Sequence, residues 1–593
     1  MIKLATVFSG IGAIEHALKR MNIEYKIVFA CDNGDVDILI KKIGMDIDVI
    51  GNELKNLENT INKIVFDDEV EDLYKVQLKN MLEEAAEEYR IDINYLESVS
   101  LDNIDFIKRL LNKLLTMPNI KKSRMKEYSA FQRAIESGSK CQKTLVYLQL
   151  VIKIYNDFKK ENMLTSLENK KALVASDGIE WESVKEDLKF VYEILEATNC
   201  RKIIRRIQDL SQRTAQLHEK INYMRVQSDL SNLGTDWKAR KKYVDNLYKG
   251  LEKRNKVKQS YMANYDISED DFHWNVAFLD GKQYRNQVDL FVGGSPCQSF
   301  SLVGKQRGLE DTRGTLFYEY ARLIDEIKPK VFIYENVKAV TSHDGGATWE
   351  KMQQVFCELG YSFKWQILNA KNYGIPQNRE RLFVVGFRND LVRDGEFNFP
   401  EPIRLEKKMK DFLMENAPGG YFLPKKGVEF VTREKNLAKK FTQIDGDIQL
   451  CQKKNQQFNW HGDFVFQSEE EAKENDIPDL EKYYLSEKVR KYVLSSGTKN
   501  FYSKPKTDLE IARPLLTTMH KMHRAGVDNY VTTEGRLRKL TPRECMRLMG
   551  FSDEFKIVVS DTAAYQQAGN SIVVDVLIHI MESILKNYPS LGE

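Results

Sequence analysis

One stretch limits what this chain can fold into more than any other: Val288-Asp289-Leu290-Phe291-Val292-Gly293-Gly294-Ser295-Pro296-Cys297. An apolar run stopped at once by two glycines and a proline reads as a strand buried on both faces. Such strands belong to parallel sheets covered by helices, and ligands in those sheets bind beyond the carboxyl ends of the strands. Cys297 therefore stands where this kind of fold does its chemistry. The competing reading is a cysteine packed as one more small apolar residue, and the rest of the chain has to separate the two.

A second strand-end turn lies at the N-terminus. Leu4-Ala5-Thr6-Val7-Phe8 reads as a strand and Ser9-Gly10-Ile11-Gly12-Ala13 as a glycine turn. Ile14, Ala17, Leu18 and Met21 follow at helical spacing. Strand, glycine turn and helix begin a nucleotide-binding unit, in which the turn lets backbone approach a ligand. Glu15 stands where a dinucleotide fingerprint would have its third glycine, which weakens a dehydrogenase reading. The next strand, Tyr25 to Ala30, ends in Cys31-Asp32, so that Asp32 is either a ribose acceptor or a solvated turn residue. Met1 to Leu18 is apolar enough to resemble a signal peptide, but Glu15 and His16 interrupt it and no cleavage site follows.

At 593 residues the chain is too long for one core. The expected segments are a core part at 1–49, a helical insertion at 50–271, a core part at 272–390, a loop-rich domain at 391–535 and a closing core part at 536–593. Within the insertion, apolar residues recur at helical spacing over Leu78 to Tyr89, Ile104 to Leu115, Leu145 to Phe158, Val184 to Leu195 and Ile203 to Leu217. Lys238 to Lys258 is locally basic: either a phosphate-contacting face or a solvated helix surface. The net charge of +3 announces no global field for nucleic acid, so any such surface is local. Seven scattered cysteines without a C-x-x-C pair suggest neither a zinc site nor a disulfide framework, and fit a reducing compartment. No apolar run reads as long enough to span a bilayer.

Regular α/β texture returns near His273. Leu316 to Ile327 reads as a helix, and Val331-Phe332-Ile333-Tyr334 as a strand that stops at Glu335. Gln377-Asn378-Arg379-Glu380-Arg381 leads into the strand Leu382 to Val385, and the two arginines share a face if that segment is extended. Thr541-Pro542-Arg543-Glu544 has the form of a capped helix start, and Gln567 to Ser571 is expected to open a last apolar helix, Ile572 to Leu585. Thiol, carboxylate and guanidiniums thus stand on turns at the ends of different strands. A thiolate is a strong nucleophile once positive charge lowers its pKa, and an enclosed carboxyl can stay protonated and donate. That set suits covalent catalysis on an electron-poor ring, with group transfer from an adenosyl cofactor.

Here a resemblance is specific. Phe8 to Gly12, Gly294 to Ser301, Asp311 to Phe317, Glu335-Asn336-Val337, Gln377 to Arg381, Arg538 to Glu544 and Gly569-Asn570-Ser571 resemble, in order, the motifs of the DNA (cytosine-5)-methyltransferase family of the bacterial restriction-modification type. It implies an α/β, Rossmann-like S-adenosylmethionine-dependent core, here with a large helical insertion and a separate target-recognition domain. It implies methylation of cytosine carbon 5 in a specific sequence of double-stranded DNA, on a flipped base, through a Cys297 adduct at carbon 6. The implied catalytic residues are Cys297, Glu335, Arg379 and Arg381. The implied S-adenosylmethionine site is Phe8, Ser9, Gly10, Ile11, Gly12, Asp32, Asn275, Val276, Gly294, Pro296, Leu316, Asn570, Ser571 and Ile572. Gln298, Ser301, Gln377, Thr517 and Thr518 are implied to touch DNA. Asn275-Val276 departs from the family's Asp-apolar pair, and Leu516-Thr517-Thr518 only approximates its Thr-Leu pair. The resemblance also implies a monomer in the cytoplasm of a bacterium or encoded by its phage, with no membrane, no metal, and a cognate restriction endonuclease acting on the same site. Its rivals are a tRNA cytosine-5 methyltransferase of the same family and a catalytically dead nucleic-acid-binding scaffold.

Overall fold

The structure, a computed structural model, describes residues 1–65, 69–99, 104–115, 122–135, 138–160, 187, 190, 191, 193, 200–295, 316–393, 395–414, 423, 425–452, 461–466 and 537–592. Apolar runs without alternation become the middle of one sheet. In chain order its strands are β1 (Ile2–Val7), β2 (Tyr25–Cys31), β3 (Phe272–His273), β4 (Leu290–Gly293), β5 (Val331–Val337), β6 (Tyr361–Asn369) and, after the short β7 (Gln377–Asn378), β8 (Glu380–Arg388). Their spatial order is β3-β2-β1-β4-β5-β8-β6. β3, β2, β1, β4 and β5 pair in parallel, and β8 runs antiparallel to both β5 and β6. The carboxyl ends of β1, β2, β4 and β5 therefore share one edge of the sheet.

Both faces are covered, as a parallel sheet requires. Ile2, Leu4, Leu290, Val292, Val331 and Ile333 point into a core shared with α1 (Ala13–Arg20) and the C-terminal helices. Val7, Phe29, Phe291, Phe332 and Tyr334 point into the opposite core, against Phe317, Tyr320, Val355 and Phe356. Along β5 the faces alternate, so Glu335 lies on the first face and Tyr334 and Asn336 on the second.

The chain divides into two compact units, one of Met1–Val36 with Trp237–Glu593, the other of Asp37–Asp236. The second unit holds α2 (Ile47–Ile61), α3 (Glu69–Ser98), α4 (Ile104–Leu115), α5 (Lys122–Ile135), α6 (Lys140–Lys160) and α7 (Cys200–Asn232). They bury their own core around Ile50, Leu54, Leu145, Val151, Ile207 and Ile221. The Asp46 side chain caps α2 by accepting from the Asp48 and Val49 N–H groups. Most of Val184 to Leu195 lies outside the described residues. The texture boundary at residue 271 differs from the structural one. α8 (Trp237–Leu247) and α9 (Lys256–Asn264) belong to the sheet unit, where Tyr261 and Tyr265 are buried in its core. Within the basic stretch, Arg240, Lys241 and Lys258 form ion pairs with Asp280, Asp245 and Glu269.

Of the expected recognition segment, the described parts include β9 (Thr442–Ile444), β10 (Gln449–Leu450) and β11 (Gly462–Phe466). β11 pairs with β9 and with β12 (Leu537–Lys539), and β10 pairs with β7. At the C-terminus α10 (Leu316–Ile327) and α11 (Ala347–Glu358) precede α12 (Pro542–Arg547), which has the capping box read in the sequence: Thr541 and Glu544 exchange hydrogen bonds with each other's backbone N–H. The last helices differ from expectation. Gln567 to Asn570 closes α13 (Asp561–Asn570) rather than opening a helix, and α14 begins two residues later than expected (Val574–Asn587), because Ser571 and Val573 are extended. Against the expectation that no apolar run is long enough to span a bilayer, Asp561–Asn587 passes by length and composition. Its Leu577, Ile580, Met581 and Ile584 are instead buried in the sheet's core.

Candidate active site

The chain leaving β4 passes directly over the end of β5. Gly294 faces Glu335 so closely that a Cβ on it would lie 2.9 Å from the Glu335 carbonyl oxygen and 2.9 Å from Oε2. Only glycine fits there, which gives that residue of the strand-end turn a steric reason. Ser295, the next residue, is buried, and its hydroxyl is 2.7 Å from the Tyr334 hydroxyl. Asn336 Nδ2 donates to the Ser295 carbonyl at 3.1 Å and to the Tyr334 hydroxyl at 2.7 Å.

Glu335 is the carboxylate of the site. Its side chain is 14% exposed, and Arg381 Nε lies 3.1 Å from Oε1. The sheet register explains the meeting. Glu335 pairs with Phe383 across β5 and β8, so Arg381, two residues back, is its diagonal neighbour on the same face. Burial raises the Glu335 pKa above the ordinary carboxylate value, and the nearby Arg381 and Arg379 offset this only in part. The group thus holds a proton more readily than a solvated glutamate while remaining ion-paired.

Arg379 and Arg381 do not share a task. Arg379 is buried, donates to the Gln452 carbonyl at 2.6 Å, and donates through Nη2 to the Gly569 and Ser571 carbonyls at 3.2 and 2.8 Å. Burial, then the Arg381 charge, lowers its pKa to about 10. It ties three separate chain segments together. Arg381 meets Glu335 and also donates to the Cys451 sulfur at 3.7 Å. Gln377, expected at the DNA, is fully buried instead. Its amide donates to the Leu548 carbonyl at 2.8 Å and accepts from the Gln452 N–H at 3.0 Å. The β7–β10 bridge draws it inward, where it joins the core to the segment containing Cys451 and Gln452.

The second strand-end turn sits at β1. Phe8, Gly10 and Gly12 all have positive φ, at 53°, 55° and 77°. Gly10 N–H donates to Asp32 Oδ2 at 2.9 Å, and Gly34 N–H to Oδ1 at 2.8 Å, so Asp32 locks the ends of β1 and β2 together. Among the described residues, a Cβ on Gly10 would meet nothing nearer than the Phe8 carbonyl at 3.9 Å. Under it, Ile11 is buried and Tyr265 donates to the Gly12 carbonyl at 2.7 Å. Ser9 Oγ accepts from the Cys31 N–H at 3.0 Å.

The remaining expected residues are spread along the same edge. Asn275 caps a short turn, its oxygen accepting from Ala277 N–H at 3.0 Å and its nitrogen donating to Tyr248 at 3.1 Å. Val276 is buried, Leu316 is the first residue of α10, and Asn570 is the exposed last residue of α13. Ser571 is buried and Ile572 packs against the first core. Pro296, Cys297, Gln298, Ser301, Thr517 and Thr518 lie outside the described residues. The sequence reading did not single out Ser295, Tyr334, Asn336, Cys451 or Gln452. Ser295 and Asn336 stood inside quoted motifs and Tyr334 in a quoted strand; Cys451 and Gln452 carried no local signal.

The profile of the family described as C-5 cytosine-specific DNA methylase matches residues 234–586. The Type II methyltransferase M.HhaI of Haemophilus parahaemolyticus is 35% identical over 302 residues, covering 50% of this chain and 75% of that protein. The Type II methyltransferase M.SsoII of Shigella sonnei is 32% identical over 343 residues, covering 56% of this chain and 72% of that protein. The orphan methyltransferase M.SPRI of Bacillus phage SPR is 29% identical over 397 residues, covering 56% of this chain and 90% of that protein.

Proposed function

The chain belongs to the C-5 cytosine-specific DNA methylase family, and on that premise we propose that Cys297 is its nucleophile, Glu335 its proton donor and Arg381 the group that holds Glu335. The reaction itself follows from the family: methylation of cytosine carbon 5 in a specific DNA sequence, with S-adenosylmethionine as donor. The observation that carries the residue assignment is the half-buried Arg381–Glu335 pair lying against Gly294, three residues before Cys297.

The steps follow from the chemistry of these groups. The Cys297 thiolate adds to carbon 6 of a cytosine turned out of the duplex. Glu335 gives its proton to ring nitrogen 3, so the electron pair displaced by the addition does not leave a negative charge there. Carbon 5 becomes nucleophilic and takes up a methyl group. A base removes the carbon 5 proton, the carbon–sulfur bond breaks with Cys297 leaving as thiolate, and ring nitrogen 3 returns its proton to Glu335 as aromaticity is restored. S-adenosylmethionine, when bound, supplies an electrophilic methyl group on a sulfonium sulfur.

The cofactor's place is supported by the room over Gly10 among the described residues and by the Asp32 carboxylate standing where β1 and β2 end. On this reading Phe8, Ser9, Gly10, Ile11 and Gly12 form its turn. Asp32 receives ribose hydroxyls, and Asn275, Val276, Gly294, Pro296, Leu316, Asn570, Ser571 and Ile572 line the rest. The segment 391–535 would choose the target, with Thr517 and Thr518 among its DNA contacts and Gln298 and Ser301 contacting DNA from the catalytic loop. We further propose a cytoplasmic monomer of bacterial or phage origin, paired with a restriction endonuclease for the same site. Two relatives carry the Type II name and one is named an orphan.

A duplex with 5-fluorocytosine at the target tests the scheme, because fluorine cannot leave carbon 5 as a proton does. The expected result is a covalent adduct that needs the cofactor and is abolished by Cys297→Ala. Wild-type protein that methylates cytosine but forms no adduct would overturn it. Bisulfite sequencing of DNA from expressing cells supplies the cognate sequence for the duplex.

A further inference from the structure

The proposed nucleophile and proton donor act on opposite sides of one small ring. Their separation must therefore be held within a fraction of an ångström, and a misplacement of about 1 Å costs on the order of 100-fold in rate. Glu335 is fixed by β5 and Arg381. The other partner follows Ser295 by two residues in the chain, so whatever holds Ser295 limits its reach.

Ser295 is held from the second face of β5. Its carbonyl accepts from Asn336 Nδ2 at 3.1 Å, and its hydroxyl meets that of Tyr334 at 2.7 Å. Asn336 Nδ2 also donates to the Tyr334 oxygen at 2.7 Å, so one amide holds both members of the hydroxyl pair. The Asn336 oxygen accepts from the Val337 N–H at 2.8 Å, which fixes the amide's orientation. Ser295, Tyr334 and Asn336 are 4%, 0% and 2% exposed, so water cannot replace these bonds. On the first face Gly294 rests against Glu335. The chain leaving β4 is thereby gripped on both faces of the strand that ends in the proton donor.

We propose that Ser295, Tyr334 and Asn336 are positioning residues for the nucleophile. They set where the chain leaves β4 relative to Glu335, and so the reach of Cys297. The inference rests on Cys297 being the nucleophile. It assigns a kinetic role to the Ser295–Tyr334 hydroxyl pair, which Gly-Ser-Pro-Cys and Glu-Asn-Val do not by themselves explain.

Tyr334→Phe is the decisive variant. It removes one oxygen and leaves the ring among Phe317, Tyr320 and Phe356, at centroid distances of 5.7, 5.0 and 5.8 Å. The rate of adduct formation on the 5-fluorocytosine duplex is expected to fall about tenfold or more, while KM for DNA and for cofactor stays within about twofold. Ser295→Ala should lower it too, and the double variant should be no slower than the slower single variant, because the hydroxyl bond lost in Ser295→Ala is already among those that Tyr334→Phe removes. Ser295→Thr, which keeps a hydroxyl, should recover part of the rate. A Tyr334→Phe protein that traps at the wild-type rate, or single effects that multiply in the double variant, would overturn the inference. Wild-type protein that forms no adduct would sink the Cys297 reading instead, which separates the two failures.

Discussion

Two buried carboxyl groups sit at two corners of the same sheet, and they are built differently. Glu15, in the first turn of α1, is fully buried beneath the β1 turn. Its Oε1 accepts from the Tyr261 hydroxyl and from the Thr6 hydroxyl, at 3.2 Å for the latter, and among the described residues Oε2 has no hydrogen-bond partner. Burial raises its pKa from 4.5 to about 7. Glu335, at the end of β5, also has a raised pKa from burial, but it has a cation beside it and an edge open to solvent. A raised pKa alone therefore does not mark a catalytic acid. Glu15 is enclosed by neutral hydroxyls, so its ionisation bears on folding. Glu335 can exchange a proton with something outside the protein, and its arginine keeps the charged form accessible.

The largest expected effect tests that division directly. Glu335→Gln keeps the shape and removes the transferable proton, and should lower the single-turnover methylation rate by about 10²–10⁴-fold. Glu15→Gln should leave the same rate within about twofold. Near-wild-type turnover by Glu335→Gln would erase the distinction, as would a Glu15→Gln protein that folds normally but loses methylation.

The second effect is on stability, and here the roles reverse. Glu15 has a folded pKa of about 7 against 4.5 in the reference state, so folding favours its neutral form. Its contribution is fully present below about pH 4.5, is lost as pH rises to about 7, and is constant above. A difference of about 2.5 pKa units corresponds to about 3 kcal/mol. Relative to Glu15→Gln, the wild-type protein should lose about that much unfolding free energy between pH 4.5 and pH 8, measured by urea titration at each pH. Parallel stability curves for the two proteins would mean that Glu15 ionises without strain.

The contrast between the two corners also shows what was legible in the sequence. Period and composition suffice for strands such as β4 and β5 and for α10, because burial on both faces leaves an unbroken apolar run. Glu335 was legible as a carboxylate at a strand end and Arg381 as a guanidinium beside a strand, but their pairing needed the antiparallel register of β5 and β8. The Tyr261–Glu15 bond was not, since it joins residues 246 positions apart. The Ser295–Tyr334–Asn336 network spans about 40 positions and depends on which strands become neighbours. Arg379 and Gln377 read as site residues by their motif, yet the β7–β10 bridge turns both inward, a pairing that no pattern around Gln449 announces. The insertion's border was misplaced for a related reason: α8 and α9 are helical like the insertion, but tertiary packing assigns them to the sheet.

The smallest expected effect separates the corners by their charges. Arg381 lowers the Glu335 pKa against the burial that raises it, whereas hydroxyl groups, not a cation, hold Glu15. Arg381→Gln should let the Glu335 pKa rise further, because the nearby positive charge that favours the carboxylate is gone. The alkaline fall in kcat, if it reports loss of the Glu335 proton, should then move to higher pH. Part of the rate will be lost as well, because the carboxyl is no longer held in place. The direction of the limb is the informative quantity, since misplacement alone lowers the rate at every pH without moving the midpoint. A limb that stays put or moves down would mean that another group sets it, and that the arginine positions Glu335 without tuning its proton.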